Sequence, residues 1–270
     1  MKPTVRKAVF PVAGFGTRFL PVTKAMPKEL LLLVNKLLIQ YAAEEAIAAG
    51  CDTLIFVTGR NKRAIEDHFD SNLELEAALR TKGKHAEAES VRNIVRQPEQ
   101  LGLGHAVLCA ERAVVNDPFA VLLADDFLVG GATGTLTNLV EAYTQSGKSQ
   151  ISVMQVDGPD ISQYGVVRLG DGFNEVAGLV EKPAPEDAAS NLASIGRYLL
   201  TADVFDILRD QRPGHGGEVQ LVDAINTMAA GGAVCQVPLT GRRFDCGSLH
   251  GYLEAIKYVA DHELYHGGLE

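Results

Sequence analysis

Little in this sequence would direct the chain into or across a membrane. The early apolar stretch from Ala8 to Phe15 is interrupted by Pro11 and Gly14 and followed by Arg18, so it fails both as a signal-peptide core and as a membrane span. A cytoplasmic protein is expected. Cysteine is also scarce. Cys51, Cys109, Cys235 and Cys246 are scattered without a Cys-x-x-Cys pair, which excludes a disulfide framework and a zinc site and leaves buried thiols as the expectation. Bases are outnumbered 25 to 34, for a net charge of -9. That balance argues against non-specific binding to nucleic acid or to an anionic membrane, both of which need a positive field. Internal repeats and low-complexity tracts are missing as well.

What is present is an ordinary globular composition, 46% hydrophobic and 22% charged over 270 residues. A chain of this length is near the upper end of what one core supports, so a single α/β domain with insertions is expected. Charge is unevenly spread. Lys2, Arg6, Lys7, Arg18, Lys24 and Lys28 precede the first acid, Glu29. A basic spot at one end of an acidic protein suits a small polyanion.

Apolar runs alternate with helical patterns through the first half. Strands are predicted at Ala8 to Val12, Thr53 to Thr58, Asn93 to Arg96, Phe119 to Ala124 and Gln150 to Val156. Helices are predicted at Lys36 to Ala49, Arg63 to Lys82, His105 to Arg112 and Thr135 to Gln145. This alternation predicts a Rossmann-like, mostly parallel mixed sheet flanked by helices. Beyond residue 157 the texture changes to shorter pieces, Gly165 to Leu169, Glu175 to Val180 and Ser194 to Leu200, punctuated by Gly, Pro and Asp. They suggest a smaller β-rich lobe over about 157–247, after a first half over about 1–156. Helices at Glu218 to Met228 and Ser248 to Ala260 follow, the latter opening a C-terminal stretch (248–270) that could meet another subunit.

The chemistry begins directly after the first strand, with Val12-Ala13-Gly14-Phe15-Gly16-Thr17-Arg18. Glycines there let backbone N–H groups approach a phosphate, and a helix start adds a favourable dipole. No Gly-Lys-Ser/Thr follows, so this is not a Walker A loop. Phe19 occupies the place of the third glycine of a dinucleotide fingerprint, and no acid closes the second strand at Thr58-Gly59. A lone Gly-x-Gly is as compatible with a plain turn. The continuation Leu20-Pro21-Val22-Thr23-Lys24-Ala25-Met26-Pro27-Lys28-Glu29 weighs against the plain turn, because a long punctuated segment carrying cations between strand and helix needs a reason.

This stretch resembles the signature of sugar-1-phosphate nucleotidylyltransferases, and its Thr-Lys-x-x-Pro-Lys-Glu form resembles the bacterial UTP:glucose-1-phosphate uridylyltransferases among them. The likeness continues, in order, through Leu101-Gly102-Leu103-Gly104-His105-Ala106, Tyr164-Gly165-Val166-Val167, Glu181-Lys182-Pro183, Ser190-Asn191-Leu192-Ala193, Gly196-Arg197-Tyr198, Gly217-Glu218-Val219-Gln220-Leu221 and Phe244-Asp245-Cys246-Gly247. It implies that UTP and glucose 1-phosphate are joined into UDP-glucose and pyrophosphate, with Mg²⁺, by a homo-oligomer, a tetramer or a dimer. By the same resemblance Ala13, Gly14 and Gly16 hold the nucleotide near Glu29, and Arg18 and Lys28 grip the triphosphate. Gln97 and the Gly102 backbone read uracil. Gly165, Glu181 and Gly196 contact glucose, Lys182 its phosphate, and Asp125 and Asp245 the metal.

These residue types suit the reaction on chemical grounds. A sugar phosphate is largely dianionic near neutral pH, so its oxygen can attack the α-phosphorus without a general base. Catalysis then reduces to aligning two polyanions and stabilising developing charge, work for Lys, Arg and a divalent ion. Plainer readings apply elsewhere. Asp126 is expected to be structural, beside an Asp125 that lies where open α/β sheets bind ligands. His262 and His266 share helical spacing but lack a third ligand, and His105 is expected to cap or pack.

The chain departs from the family pattern at Leu32, Asn35 and Leu37, and its segment between Lys82 and Gln97 is short. Three alternatives stay open: another sugar phosphate as substrate, a glycosyltransferase of similar fold, or a silent nucleotide-sugar-binding subunit. The second normally carries Asp-x-Asp where this chain has Asp125-Asp126-Phe127.

Overall fold

A computed structural model describes residues 4–60, 62–69, 91–131 and 133–264. In chain order the strands are β1 (Lys7–Pro11), β2 (Leu32–Leu33), β3 (Lys36–Leu37), β4 (Thr53–Thr58), β5 (Val91–Arg96), β6 (Phe119–Leu122), β7 (Asp126–Val129), β8 (Ser149–Gln155), β9 (Gly165–Leu169), β10 (Val176–Glu181), β11 (Leu192–Leu200), β12 (Val234–Pro238) and β13 (Arg242–Asp245). The helices are α1 (Leu38–Ala48), α2 (Arg63–Phe69), α3 (Leu103–Cys109), α4 (Glu111–Val114), α5 (Thr135–Ser146), α6 (Asp203–Asp210), α7 (Leu221–Ala230) and α8 (Leu249–Val259).

A nine-stranded mixed sheet organises them, in the order β10-β9-β11-β6-β1-β4-β5, with β8 on β11 and β12 on β8. β6, β1, β4 and β5 run parallel, so their carboxyl ends open on one side. β11 runs antiparallel to β6, β8 and β9 and ties the later strands to the parallel ones. Strands from both halves of the chain therefore share one sheet. Two short sheets, β7 with β13 and β2 with β3, lie apart from it.

Alternation along the strands divides the core. Val9, Ile55, Val57 and Val121 face a layer with Val107 of α3, Phe205 of α6 and Ile225 of α7. Ala8, Phe10, Leu54, Phe56 and Leu122 face the opposite layer, with Ile39 of α1, Ile65 of α2 and Leu139 of α5. Period-two side chains with helices on both faces are what a buried parallel sheet requires. Phe56 lies between Phe10 and Phe69, with ring centroids at 4.9 and 4.3 Å. Truncating it would cost about 3–5 kcal/mol.

The predicted mixed α/β sheet is present, with differences that have local causes. The helix predicted from Lys36 begins at Leu38, because Lys36–Leu37 first pairs back on Leu32–Leu33 across a turn that puts Val34 at φ +63°. The helix predicted from Glu218 begins at Leu221, because Val219 is held extended by bonds from its N–H to Leu101 O and from Gly104 N–H to its own O. Strands β7, β12 and β13 and helix α6 were not expected; β7 is a short stretch that only its pairing with β13 defines. The end of the helix predicted to Lys82, most of the short segment before Gln97, and His266 lie outside the described residues. Three cysteines are buried and Cys109 is half-buried. Among the described residues no helix is long and apolar enough to cross a membrane.

Candidate active site

The carboxyl ends of the parallel strands carry the loop after β1, Gln97 after β5 and Asp125 after β6. The β1 loop leaves the sheet at Val12, whose N–H donates to Val57 O at 2.9 Å. Gly16 has φ +66°, and a Cβ there would lie 3.2 Å from Lys28 Cβ. Both facts favour glycine, one through conformation and one through space. Gly14 faces open space on its Cβ side. Thr23 Oγ1 donates to Gly16 O at 2.7 Å, which folds the segment back on itself. Gln100 Nε2 reaches Ala13 O at 2.5 Å and links the loop to the stretch after Gln97.

That fold-back delivers Lys28. Its Nζ lies 2.6 Å from Asp125 Oδ2. Burial works against the ammonium, yet Asp125 and then Glu29 outweigh it and hold Lys28 above its ordinary value. Burial likewise works against the Asp125 carboxylate, and Lys28 outweighs it, holding Asp125 below the usual carboxylate range. The two directions agree: both groups are charged. Glu29, 2% exposed, is bonded to Lys62 Nζ at 2.6 Å. Burial pushes its carboxyl up, against the pull of Lys62 and Lys28.

Asp245 arrives on β13, in register with Asp126 of β7. A Cβ on Gly247 would lie 2.9 Å from Asp125 Oδ2 and 3.0 Å from Asp245 Oδ1, so the two carboxylates flank the same glycine. Arg18 joins them from across the site, its guanidinium donating to Gly247 O at 3.4 Å. Among the described residues no group of three or more His, Cys, Asp or Glu side chains could enclose a metal. Two carboxylates at a partly open edge nonetheless fit an ion that keeps several waters and takes phosphate oxygens as further ligands, as magnesium does.

Adjacent Asp126 has the expected structural role. Its Oδ2 accepts Gly196 N–H at 2.7 Å and its Oδ1 accepts Arg243 Nε at 2.8 Å. Burial opposes the Arg243 charge, but Asp126 outweighs it and holds the guanidinium above its ordinary value. Arg197, 1% exposed, braces the same turn by donating to Leu123 O, Gly196 O and Asp126 O and pairing with Glu45. Gly196 is buried here, where a Cβ would lie 2.6 Å from Leu123 Cβ. Its N–H is spent on Asp126 and its carbonyl on Leu123 and Arg197.

Gly102 has φ +94°, and a Cβ there would meet Val219 O at 2.8 Å; one on Gly104 would meet the same oxygen at 2.7 Å. The paired glycines let the Leu101–Gly104 and Glu218–Gln220 segments join. Gln97 Nε2 approaches Gly102 O at 3.3 Å and His105 Nδ1 at 3.0 Å. His105 therefore does not cap α3, whose N-cap is Gly102.

Gly165 and Glu181 pair across β9 and β10, and a Cβ on Gly165 would touch Glu181 Oε2 at 3.1 Å. Lys182 ends the extended run of β10. It turns at φ +47°, and its N–H donates to Tyr164 O at 3.0 Å. Its Nζ comes within 3.9 Å of Glu181 Oε1, with both side chains mostly exposed. The two side chains share one region. Three residues missed in the sequence connect these parts: Lys62 under Glu29, Arg197 under the aspartate turn, and Arg243, which also faces the Tyr164 ring at 5.4 Å.

A mixed sheet with a glycine loop after its first strand, a lysine–aspartate pair and two converging carboxylates at its carboxyl edge marks a nucleotide-handling α/β enzyme. The chain belongs to the nucleotidyl transferase family, whose model matches residues 7–262. It is 46% identical over 270 residues to a UTP–glucose-1-phosphate uridylyltransferase of Pseudomonas aeruginosa, covering 96% of this chain and 97% of the relative. A second such enzyme, from Staphylococcus saprophyticus, is 46% identical over 98% of this chain and 96% of its own length. Among solved structures, a UDP-glucose pyrophosphorylase complexed with UDP-glucose superposes with a TM-score of 0.87 at 43% identity, over 96% of this chain and 99% of the other. A UTP-bound UGPase from Acinetobacter baumannii superposes with a TM-score of 0.86 at 39% identity, over 97% and 95%. Nucleotidyl transferases of this kind generally work with a divalent metal ion.

Proposed function

We propose that this protein is a UTP:glucose-1-phosphate uridylyltransferase, forming UDP-glucose and pyrophosphate. The observation that carries the reading is the meeting of Lys28, Asp125, Asp245 and Arg18 around Gly247, at the mouth of a glycine loop. That constellation suits a triphosphate and a metal, and the near-full-length relatives named above supply the substrate class.

In the reaction a phosphate oxygen of glucose 1-phosphate forms a bond to the α-phosphorus of UTP. The bond from that phosphorus to the bridging oxygen breaks, and its electron pair leaves with pyrophosphate. No proton need be removed from a dianionic nucleophile, so the protein's work is alignment and charge. Backbone groups from Ala13 to Gly16 receive the nucleotide, while Arg18 and Lys28 neutralise its phosphates. A bound Mg²⁺, held by Asp125 and Asp245, would supply positive charge to phosphate oxygens. Lys28 is already paired with Asp125, so the phosphates must share or take over that cation. Gln97 and Gly102 meet the uracil edge, Glu181 beside Gly165 meets sugar hydroxyls, and Lys182 meets the sugar phosphate. Leu249 and Leu253, 61% and 48% exposed on one face of α8, support the expected homo-oligomer. A cytoplasmic location fits the substrates.

The test is direct. Purified protein with UTP, glucose 1-phosphate and Mg²⁺ should yield UDP-glucose and pyrophosphate in equal amounts, with neither product when glucose 1-phosphate is withheld. Faster turnover with another sugar 1-phosphate would overturn the substrate assignment.

A further inference from the structure

Gln97 is 4% exposed at the end of β5, and its amide orientation is fixed by its neighbours. Gly102 O can only accept, so the atom 3.3 Å from it must be the amide nitrogen. The same nitrogen lies 3.0 Å from His105 Nδ1. For that approach to be a hydrogen bond the ring nitrogen must accept, which puts the ring N–H on Nε2. That proton points toward Cys109 Sγ, 3.9 Å away and one helical turn on. Both amide hydrogens of Gln97 are thus committed. Among the described residues nothing donates to its Oε1, which is not a sealed orphan within the protein.

The two anchors are unequal. The Gly102 bond is long and its carbonyl also accepts Ala106 N–H at 3.1 Å. The His105 bond is shorter and belongs to a side chain carried on a helix whose start is bound to Val219. We propose that His105 is the positioning residue for base choice: by holding the Gln97 amide nitrogen inward, it presents Oε1 as an acceptor. An acceptor there suits a pyrimidine with hydrogen on N3, uracil or thymine. It opposes cytosine, whose N3 has a lone pair. The inference rests on the reading of Gln97 as the base contact and does not depend on turnover.

The discriminating measurement is nucleotide binding by calorimetry with UTP, CTP and dTTP, on the unaltered protein, His105→Leu and His105→Asn. Leucine keeps bulk and removes the acceptor, whereas an asparagine amide oxygen can occupy the position of Nδ1. His105→Leu should lower the UTP-to-CTP affinity ratio about fivefold, the equivalent of one neutral hydrogen bond. His105→Asn should restore it. The UTP-to-dTTP ratio should not move in either variant, because both bases present the same N3–H edge. An unchanged UTP-to-CTP ratio in His105→Leu, parallel changes in both ratios, or equal binding of UTP and CTP by the unaltered protein overturns the proposal. Turnover with glucose 1-phosphate is measured separately, so the proposed activity and the role of His105 can fail independently.

Discussion

On the proposed nucleotide side of the site three charged pairs are largely withdrawn from solvent: Lys28 on Asp125, Glu29 on Lys62, and Asp126 on Arg243. On the proposed sugar side Glu181 and Lys182 are mostly exposed and lie 3.9 Å apart, a separation at which an exposed pair contributes about 1 kcal/mol at most. One side is organised before any ligand arrives, and the other can still be reorganised by one. That contrast suits an enzyme that must fix a triphosphate for in-line attack and then accept a smaller second substrate. It also separates two neighbours. Asp125 is proposed to belong to the chemistry, while Asp126 belongs to the frame.

The contrast breaks most visibly at Asp126. Asp126→Ala would leave Arg243 and the Gly196 N–H without their carboxylate in a buried setting. Removing one member of a buried pair costs about 3–5 kcal/mol, so denaturant titration should show a loss of that order. Wild-type stability in this variant would mean that Asp126 is not part of the frame. Asp125→Asn should do the opposite, losing less stability than Asp126→Ala while turnover at saturating Mg²⁺ falls roughly 10²-fold, or about 2.7 kcal/mol in the barrier. Near-normal rates would remove Asp125 from the metal and phosphate site.

These opposite fates could not be read from two aspartates side by side. Their partners lie 97 and 117 residues away, at Lys28 and Arg243, and no local pattern encodes such a meeting. The β1 loop was legible, because its backbone must turn at Gly16 beside Lys28 and glycine announces that need. The parallel strands were legible through their apolar runs. Strands β7 and β13 were not, since each exists only through pairing with the other. The turn at Lys182 was equally hidden: the run through Glu181 is extended, but the chain turns at Lys182 to bond Tyr164.

That turn sharpens the sugar-side prediction. If Lys182 meets the sugar phosphate, its ammonium must leave Glu181 as the substrate binds, and Glu181 becomes free for hydroxyls. Lys182→Ala should raise KM for glucose 1-phosphate about tenfold, near 1.4 kcal/mol, with KM for UTP and thermal stability nearly unchanged. Steady-state kinetics with each substrate varied in turn would show it. An equal shift in both constants would return the pair to the role of surface charges.

The smallest effect is a pH dependence that distinguishes two carboxylates within the nucleotide side. Burial acts to raise Asp125, but Lys28 outweighs it, so the folded value lies below the ordinary 3.8. Between those values the unfolded chain binds more protons than the folded one, and stability rises with pH. The Asp125 contribution is complete above 3.8 and is lost as pH falls through the lower folded value. Glu29 has the reverse sign. Burial raises it above 4.5, so in the window above that value the folded state holds more protons and stability falls as pH rises. Denaturant titrations of Asp125→Asn and Glu29→Gln between about pH 3 and pH 7 separate the two. The stability advantage of the unaltered protein over Asp125→Asn should shrink as pH falls below 3.8. Its standing relative to Glu29→Gln should worsen as pH rises past 4.5. If both differences stay flat, neither carboxylate is held away from its ordinary value, and the pairing on the nucleotide side would be no more than that of an exposed surface.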